Sequence, residues 1–188
     1  MRVIAGNLRG RKLTTIRGMA IRPTADRIRE SLFNILSTTP RGATVLDLFA
    51  GSGAMGIEAL SRGARQAVFV EQAAAALAVI RKNIQLCRLE QNSRVIQWDI
   101  VGNLRCLQAF ANTFDLIFID PPYNRGMIVP TLTHLAGQQL PAPDAVAVVE
   151  HDPAEALDPL PQAWTLTDQR RYGRTLISFL RYLSKAEE

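Results

Sequence analysis

Four consecutive residues, Asp120-Pro121-Pro122-Tyr123, carry groups that could act on an amine. The Asp120 carboxylate and the Pro121 carbonyl could accept both hydrogens of an exocyclic amine of a nucleobase, which would aim the nitrogen lone pair at an electrophile. The carboxylate would also stabilise the positive charge that develops on the nitrogen. Tyr123 offers a flat face on which an extruded base can stack. A proline pair that ends a strand beside a capping Asp is the simpler alternative.

A glycine-rich stretch, Gly51-Ser52-Gly53-Ala54-Met55-Gly56, lies between a predicted strand and a predicted helix. Its glycines allow a tight turn and a close approach of the backbone to a ligand, and the helix N-terminus adds N–H donors. Asp47 precedes these glycines, and Glu71 ends the next predicted strand, where a carboxylate can bind ribose hydroxyls. Asp47 would repel a pyrophosphate but attract an ammonium group, which favours S-adenosylmethionine over NAD as the cofactor. A glycine turn that serves strand–helix packing alone is the structural alternative.

The elements that would position these residues are alternating apolar strands and helices. Strands are predicted at residues 44–49, 66–71, 94–98, 115–119, 145–150, 164–170 and 175–182, and helices at 25–37, 54–61, 73–87, near 101–110 and near 127–137. This alternation indicates an α/β fold with a doubly wound parallel sheet, and the short turn at Tyr172-Gly173 makes the last two strands antiparallel. Because ligands bind at the carboxyl ends of parallel strands, Asp120 and Tyr123 should face the ligand of the glycine loop.

Length and composition exclude several classes of protein. The 188 residues suit one domain, and 47% hydrophobic with 21% charged residues is typical of a chain that buries a core. The sequence has neither a long uncharged apolar run nor the pattern of a signal peptide. Cys87 and Cys106, with two histidines, are too few for a disulfide framework or a Cys/His metal site. We therefore expect a cytoplasmic protein without a metal.

The positive charge is concentrated near the N-terminus. Residues 1–41 hold nine basic and two acidic residues, a net charge of +7, whereas residues 42–188 hold 13 basic and 15 acidic residues, a net charge of −2. Residues 1–5 and 11–15 read as the strands of a hairpin, with Arg9, Arg11 and Lys12 at or beside its tip, and Arg22 precedes the first helix. We expect residues 1–24 to be a basic hairpin extension that binds a polyanion such as a nucleic acid, and residues 25–188 to be the main domain. A solvated basic surface is the alternative.

Five stretches carry a resemblance to a known family: Arg9–Leu13, Arg22–Leu36, Asp47–Gly53, Asp120–Tyr123 and Tyr172-Gly173. They are similar to the RsmD family of bacterial ribosomal RNA guanine-N2 methyltransferases, which are class I S-adenosylmethionine-dependent enzymes. The glycine loop is shared by many methyltransferases, and the Asp-Pro-Pro-Tyr motif narrows the choice to amine targets. The stretch Arg22–Leu36 singles out this family.

The resemblance implies methyl transfer from S-adenosylmethionine to the N2 amine of a guanine in small-subunit (16S) ribosomal RNA, within the assembling or assembled 30S particle. It implies a Rossmann-like fold with a mostly parallel seven-stranded sheet, an antiparallel last strand and an N-terminal β-hairpin that helps to grip the RNA. The cofactor residues carried over are Asp47, Gly51 and Gly53 for the methionine end, Phe49 beside them, Glu71 for the ribose, Asp99 for the adenine amine, and Gln72 and Ile100 for its ring. The catalytic residues would be Asp120, Pro121, Pro122 and Tyr123.

Three other functions remain open from the sequence. An adenine-N6 methyltransferase acting on RNA or DNA could use the same tetrapeptide. An NAD-dependent oxidoreductase shares the glycine pattern but leaves Asp47 and Asp120 unexplained. A non-catalytic RNA-binding assembly factor would need the basic arm alone and would leave Tyr123 without a role.

Overall fold

The computed structural model describes residues 1–16, 23–155 and 157–183, and within these ranges the chain forms four α-helices and seven β-strands. The helices are α1 (Pro23–Leu36), α2 (Ala54–Ser61), α3 (Ala74–Cys87) and α4 (Ile128–Gly137). The strands are β1 (Thr44–Leu48), β2 (Gln66–Glu71), β3 (Ser93–Gln97), β4 (Phe114–Ile119), β5 (Pro141–His151), β6 (Trp164–Tyr172) and β7 (Thr175–Tyr182). In those same ranges, every helix is too short or too polar to cross a membrane.

The strands belong to one seven-stranded sheet with the order β3-β2-β1-β4-β5-β7-β6. β1 pairs in parallel with β2, β2 with β3, and β4 with β5, whereas β7 runs antiparallel to both β5 and β6. The expected α/β fold, with a mostly parallel sheet and a reversed last strand, is confirmed. The chain divides into two compact units, Met1–Trp98 and Asp99–Glu188.

The first unit is built on the strands β1, β2 and β3. All five residues of β1 are buried, and so are the four central residues of β2, which explains why both strands are largely apolar. Helices α2 and α3 cover these strands with side chains such as Ile57, Leu77 and Ile80. A hairpin of residues 1–14 completes the unit, with an antiparallel bridge between Arg2 and Lys12.

The second unit contains β4–β7 and α4. Leu116 to Ile119 of β4 are almost completely buried, as are Ala147, Val148 and Val149 of β5. β7 lies between β5 and β6, so β6 is the strand at the edge of the sheet. The Trp164 ring packs against the Tyr182 ring, and its indole N–H donates to the Leu132 carbonyl, which ties the β6–β7 hairpin to α4.

Two local expectations need correction. The helix expected near 101–110 is a 3₁₀ helix over Arg105–Phe110 only. The preceding residues instead form turns in which Asp99 accepts from the Val101 N–H and Asn103 from the Arg105 N–H. The N-terminal hairpin is confirmed, but its ladder is short, because the N–H groups of Ile4 and Ala5 bind Glu58 instead of the opposite strand.

Candidate active site

The glycine loop connects β1 to α2 and brings backbone and side chains into close contact. Gly53 has a left-handed φ of 76°, and a Cβ at this position would lie 3.3 Å from the Phe69 ring. A Cβ on Gly56 would lie 2.4 Å from the same ring, so only glycine fits there. Phe49, before the loop, also has a left-handed φ, of 57°, which is unusual for a residue with a side chain. Such strain is typical of functional turns.

Asp47, the acidic residue of β1, is 3% exposed and fixes the start of α2. Its Oδ2 accepts a hydrogen bond of 2.9 Å from the Gly56 N–H. Burial raises the pKa of this carboxyl to about 7, and the nearby Glu71 carboxylate adds to the shift. The direct contact with a ligand ammonium stays a prediction, and the structure adds a second role in holding the glycine loop.

Glu71, at the end of β2, joins the glycine loop to the start of α3. Its Oε2 accepts from the Gly51 N–H at 3.0 Å, and its Oε1 accepts from the N–H groups of Gln72 and Ala73, each at 2.9 Å. The side chain is partly exposed. A carboxylate has room for about four hydrogen bonds, so Glu71 can still accept one from a ribose hydroxyl.

The three residues predicted to surround an adenine occupy the ends of two neighbouring strands. Gln72 follows β2, is exposed and accepts from the Gln97 side chain through its carbonyl. Asp99 is exposed, and its Oδ1 accepts from the Val101 N–H at 3.1 Å, while Ile100 is 3% exposed. Gln72 lies in the first unit, and Asp99 and Ile100 begin the second. Their shared role in adenine binding stays a prediction.

Asn83 of α3 links the glycine loop to the N-terminal hairpin. It is completely buried, and its Nδ2 donates to the Ser52 carbonyl at 2.9 Å and to the Thr14 carbonyl at 3.0 Å. Its Oδ1 accepts from the Thr14 N–H at 2.7 Å. One side chain therefore fixes both the loop that would bind the cofactor and the end of the hairpin that would bind RNA.

The hairpin itself is docked on α2 by two buried polar residues. Glu58 is 1% exposed, accepts from the N–H groups of Ile4 and Ala5 and pairs with Arg62 at 2.9 Å. Ser61 accepts from the Leu8 N–H and donates to the Ala5 carbonyl. These bonds make the hairpin a fixed part of the first unit.

The basic residues expected to bind RNA lie on this docked hairpin. Arg9, Arg11 and Lys12 are exposed, and within the described residues none of them pairs with a carboxylate. Arg22 lies outside the described residues. The three described side chains are available to a polyanion.

The Asp120–Tyr123 tetrapeptide follows β4 directly, as expected. Asp120 and Pro122 are exposed, Pro121 is buried, and Tyr123 is 38% exposed. The Tyr123 hydroxyl donates to Oε1 of Glu150 at 2.7 Å and lies 3.1 Å from the Thr175 hydroxyl. Burial raises the pKa of Tyr123 above its ordinary value, so the hydroxyl stays a donor; the hydrogen bond to Glu150 and the charges of Glu150 and Asp120 add to the rise, whereas the Thr175 contact opposes it. The ring is held at its tip while part of it remains exposed.

A second carboxylate holds the rest of this loop. The two oxygens of Glu155 accept from the N–H groups of Asn124, at 3.0 Å, and Gly126, at 3.1 Å. His151, 2% exposed, supports the turn that carries Glu155, because its Nδ1 lies 3.1 Å from the Asp152 carbonyl and 3.0 Å from the Glu155 carbonyl. Residues 120–126 are therefore held at two places, by Glu150 of β5 and by Glu155 in the turn after this strand.

Sequence reasoning missed Asn83, Glu58, Glu150 and Glu155. Glu58 was visible only as a polar residue within the apolar helix α2, which indicates a buried polar contact without naming its partner, and Asn83 follows the charged pair Arg81-Lys82, which hides it. The other two carried no signal, because their partners lie 27 to 31 residues away in the chain.

Comparison with known proteins identifies the family. The family model described as conserved hypothetical protein 95 matches residues 1–181. Ribosomal RNA small subunit methyltransferase D of Escherichia coli K12 is 35% identical over 93% of this chain and 86% of its own length. The protein of the same name from Haemophilus influenzae is 35% identical over 97% of this chain and 93% of its own length. The match to the solved structure of Escherichia coli yhhF covers 98% of this chain and 99% of the yhhF chain, with a TM-score of 0.85 and 32% sequence identity. The chain therefore belongs to the RsmD family, whose model bears the description conserved hypothetical protein 95.

Proposed function

We propose that this protein transfers a methyl group from S-adenosylmethionine to the N2 amine of a guanine in small-subunit ribosomal RNA. The observation that carries the proposal is the Asp120–Tyr123 loop, which follows β4 and is tied down by Glu150 and Glu155. Relatives that match nearly the whole chain are named ribosomal RNA small subunit methyltransferase D, which supports the RNA substrate. The substrate would be this RNA in the assembling or assembled 30S particle, in the cytoplasm.

The first unit fits S-adenosylmethionine better than a dinucleotide. The stretch from Thr44 to Ser61 has no Lys or Arg, and the carboxylates nearest the glycine loop belong to Asp47 and Glu71. Such a site suits an ammonium tail and ribose hydroxyls but opposes a pyrophosphate. When bound, S-adenosylmethionine supplies a methyl group on a positively charged sulfur. Asp47 and the glycine loop would hold its methionine end, and Glu71 its ribose.

The second unit supplies groups for the acceptor amine. Asp120 and the Pro121 carbonyl would accept its two hydrogens and so fix the direction of the nitrogen lone pair. The buried Pro121 gives this carbonyl a stable position. Tyr123, held at its hydroxyl, would stack on the extruded base.

Methyl transfer places a positive charge on the acceptor nitrogen, which then loses a proton. The nitrogen becomes positive as the new N–C bond forms, and the Asp120 carboxylate stabilises this charge. The methylated nitrogen is then acidic and loses one proton to Asp120 or to water. No strong base is required, because the methylated nitrogen is itself acidic.

Nucleoside analysis of ribosomal RNA from cells that lack the protein tests the proposal. We expect the loss of one N2-methylguanosine from the small-subunit RNA, restored by the intact gene but not by Asp120→Ala. Unchanged N2-methylguanosine together with the loss of an N6-methyladenosine would overturn the base assignment. Calorimetric titration of the purified protein with S-adenosylmethionine and with NAD tests the cofactor, and binding of NAD alone would contradict it.

A further inference from the structure

The face of the sheet beside Tyr123 extends onto strand β7. Glu150 of β5 is paired with Ile177 of β7, and cross-strand partners lie on the same face of a sheet. Thr175 lies two residues before Ile177 and therefore shares this face. The Tyr123 hydroxyl binds both Glu150 and Thr175, so the catalytic loop lies against this face.

The same face continues onto the edge strand β6 with an arginine and a tyrosine. Ile177 is paired with Arg170, and Thr175 with Tyr172. Tyr172 is therefore the cross-strand neighbour of a residue that contacts Tyr123. The proposed reaction gives Tyr172 no role.

The groups on this face suit a nucleotide. The Arg170 side chain is 57% exposed and binds Asp168 through Nε, and a guanidinium has further N–H donors for a phosphate. Arg174, in the turn after Tyr172, is exposed, and among the described residues no carboxylate pairs with it. Arginine beside an aromatic ring is the combination that single-stranded nucleic acid binders use for backbone and base.

We propose that Tyr172, Arg170 and Arg174 form a second nucleotide subsite, which binds an RNA residue adjacent to the target guanine. Tyr172 stacks on the neighbouring base, and the two arginines bind its flanking phosphates. This inference rests on the proposed function, since it places the RNA strand on both sides of Tyr123. It assigns to the second unit an RNA contact that is separate from the basic hairpin.

The test measures the affinity of a fluorescently labelled short single-stranded RNA as a function of salt. We expect Tyr172→Ala to weaken binding roughly tenfold, since stacking contributes about 1–3 kcal/mol per base. Tyr172→Phe keeps the ring and should restore the affinity. Arg170→Ala and Arg174→Ala should each reduce the salt slope by about 0.7, the value for one phosphate contact on a single strand.

Arg171 provides the matched control. It is exposed and adjacent to Arg170, but it is paired with Leu176 and so lies on the opposite face of the sheet. Arg171→Ala removes the same charge, together with the hydrogen bond from Arg171 Nε to the Gly173 carbonyl. It should change the affinity by about twofold or less, because a side chain on the opposite face makes no direct contact with the bound phosphates. An equal loss for Arg170→Ala and Arg171→Ala would overturn the subsite and leave only a general effect of charge.

A methylation assay separates this inference from the proposed function. If the wild-type protein methylates no ribosomal RNA but its RNA affinity depends on Tyr172 and Arg170, the proposed function fails, and these residues form an RNA contact without a target guanine beside it. If the wild-type protein methylates the RNA while Tyr172→Ala and Arg170→Ala leave both affinity and methylation unchanged, the subsite fails and the proposed function stands.

Discussion

At the scale of single residues, Asp47 has two roles, one structural and one in ligand binding, and burial affects them in opposite ways. Its carboxylate must fix the Gly56 N–H in a buried place, and it is also the candidate partner of a ligand ammonium. The first role needs only an acceptor oxygen, whereas the second needs the negative charge. Burial disfavours that charge, as the pKa of about 7 shows. A neutral amide at position 47 should therefore preserve the stability of the fold while it weakens binding of the cofactor.

Asp47→Asn should be at least as stable as the wild type above pH 7 but should bind S-adenosylmethionine more weakly. Between pH 3.8, the ordinary pKa, and about pH 7, the carboxyl is ionised in the unfolded chain but protonated in the folded one. The unfolded state thus binds fewer protons, so this group lowers the free energy of unfolding as pH rises, by at most about 1.4 kcal/mol per pH unit. Denaturant unfolding between pH 3.8 and about pH 7 should show that the free energy of unfolding falls less with rising pH for Asp47→Asn than for the wild type. A decline equal to that of the wild type would contradict the assignment.

Tyr123 shows how a neighbour can control a catalytic side chain. The ring would stack on the base, but its direction is set by the bonds of its hydroxyl to Glu150 and Thr175. Burial raises the pKa of Glu150, and the Tyr123 hydrogen bond opposes that rise. Glu150 is therefore a positioning residue for the ring.

Glu150→Ala should slow methyl transfer roughly tenfold, since a lost partner for a partly buried hydroxyl costs about 1–3 kcal/mol. Glu150→Gln retains an acceptor oxygen and should recover most of the rate. Tyr123→Phe should be milder than Tyr123→Ala because it keeps the stacking face. Single-turnover rates measured with saturating cofactor decide this, and a wild-type rate for Glu150→Ala would remove Glu150 from the positioning role.

At the scale of elements, the N-terminal hairpin is held by side chains instead of a long ladder of its own. Glu58, Ser61 and Asn83 all bind its backbone, so the tip with Arg9 and Arg11 is presented from a fixed base. A rigid presentation of phosphate contacts favours oriented binding over loose attraction.

Arg9→Ala combined with Arg11→Ala should weaken RNA binding and flatten its salt dependence by about 0.7–0.9 per lost contact. Cofactor affinity should stay the same, because neither side chain takes part in the contacts of the glycine loop. The double variant Arg81→Ala with Lys82→Ala, which removes two exposed charges from α3, is the control. Equal salt slopes for wild type and Arg9/Arg11 variant would show that the hairpin is only a solvated surface.

The elements also show what a sequence can reveal. The buried strands β1, β2 and β4 were predictable because continuous apolar runs reflect burial on both faces. Glu71 and Asp120 stand out because they end or follow such runs, and Asp47 stands out as the one charged residue within β1. The bonds of Glu58 and Asn83 to the hairpin backbone span 53 to 69 residues and follow no periodic pattern, so they needed the folded chain. The helix expected near 101–110 was wrong at its start, because the side chains of Asp99 and Asn103 accept from nearby backbone N–H groups and form turns there, which leaves only the 3₁₀ helix Arg105–Phe110.

At the scale of the whole molecule, the groups assigned to the methionine end and the ribose of the cofactor lie in the first unit, and those assigned to the acceptor amine lie in the second. The first unit carries the glycine loop, Asp47, Glu71 and the basic hairpin, while the second carries the Asp120–Tyr123 loop. The excess positive charge also lies within the first 41 residues. Binding of the cofactor and orientation of the acceptor amine should therefore respond to different substitutions.

Asp120→Ala tests this division directly. We expect single-turnover methyl transfer to fall by roughly 10²–10³, the usual loss when one group that stabilises transition-state charge is removed. Cofactor affinity measured by calorimetry should be unchanged, since Asp120 is assigned to the amine. Asp120→Asn keeps one acceptor oxygen without the charge, so its methyl-transfer rate should lie between those of the wild type and Asp120→Ala. Asp144→Ala, which removes an exposed carboxylate of the same unit, should behave as the wild type. A near-normal rate for Asp120→Ala would end the proposed role, and a parallel loss of cofactor affinity would move Asp120 to the donor side of the reaction.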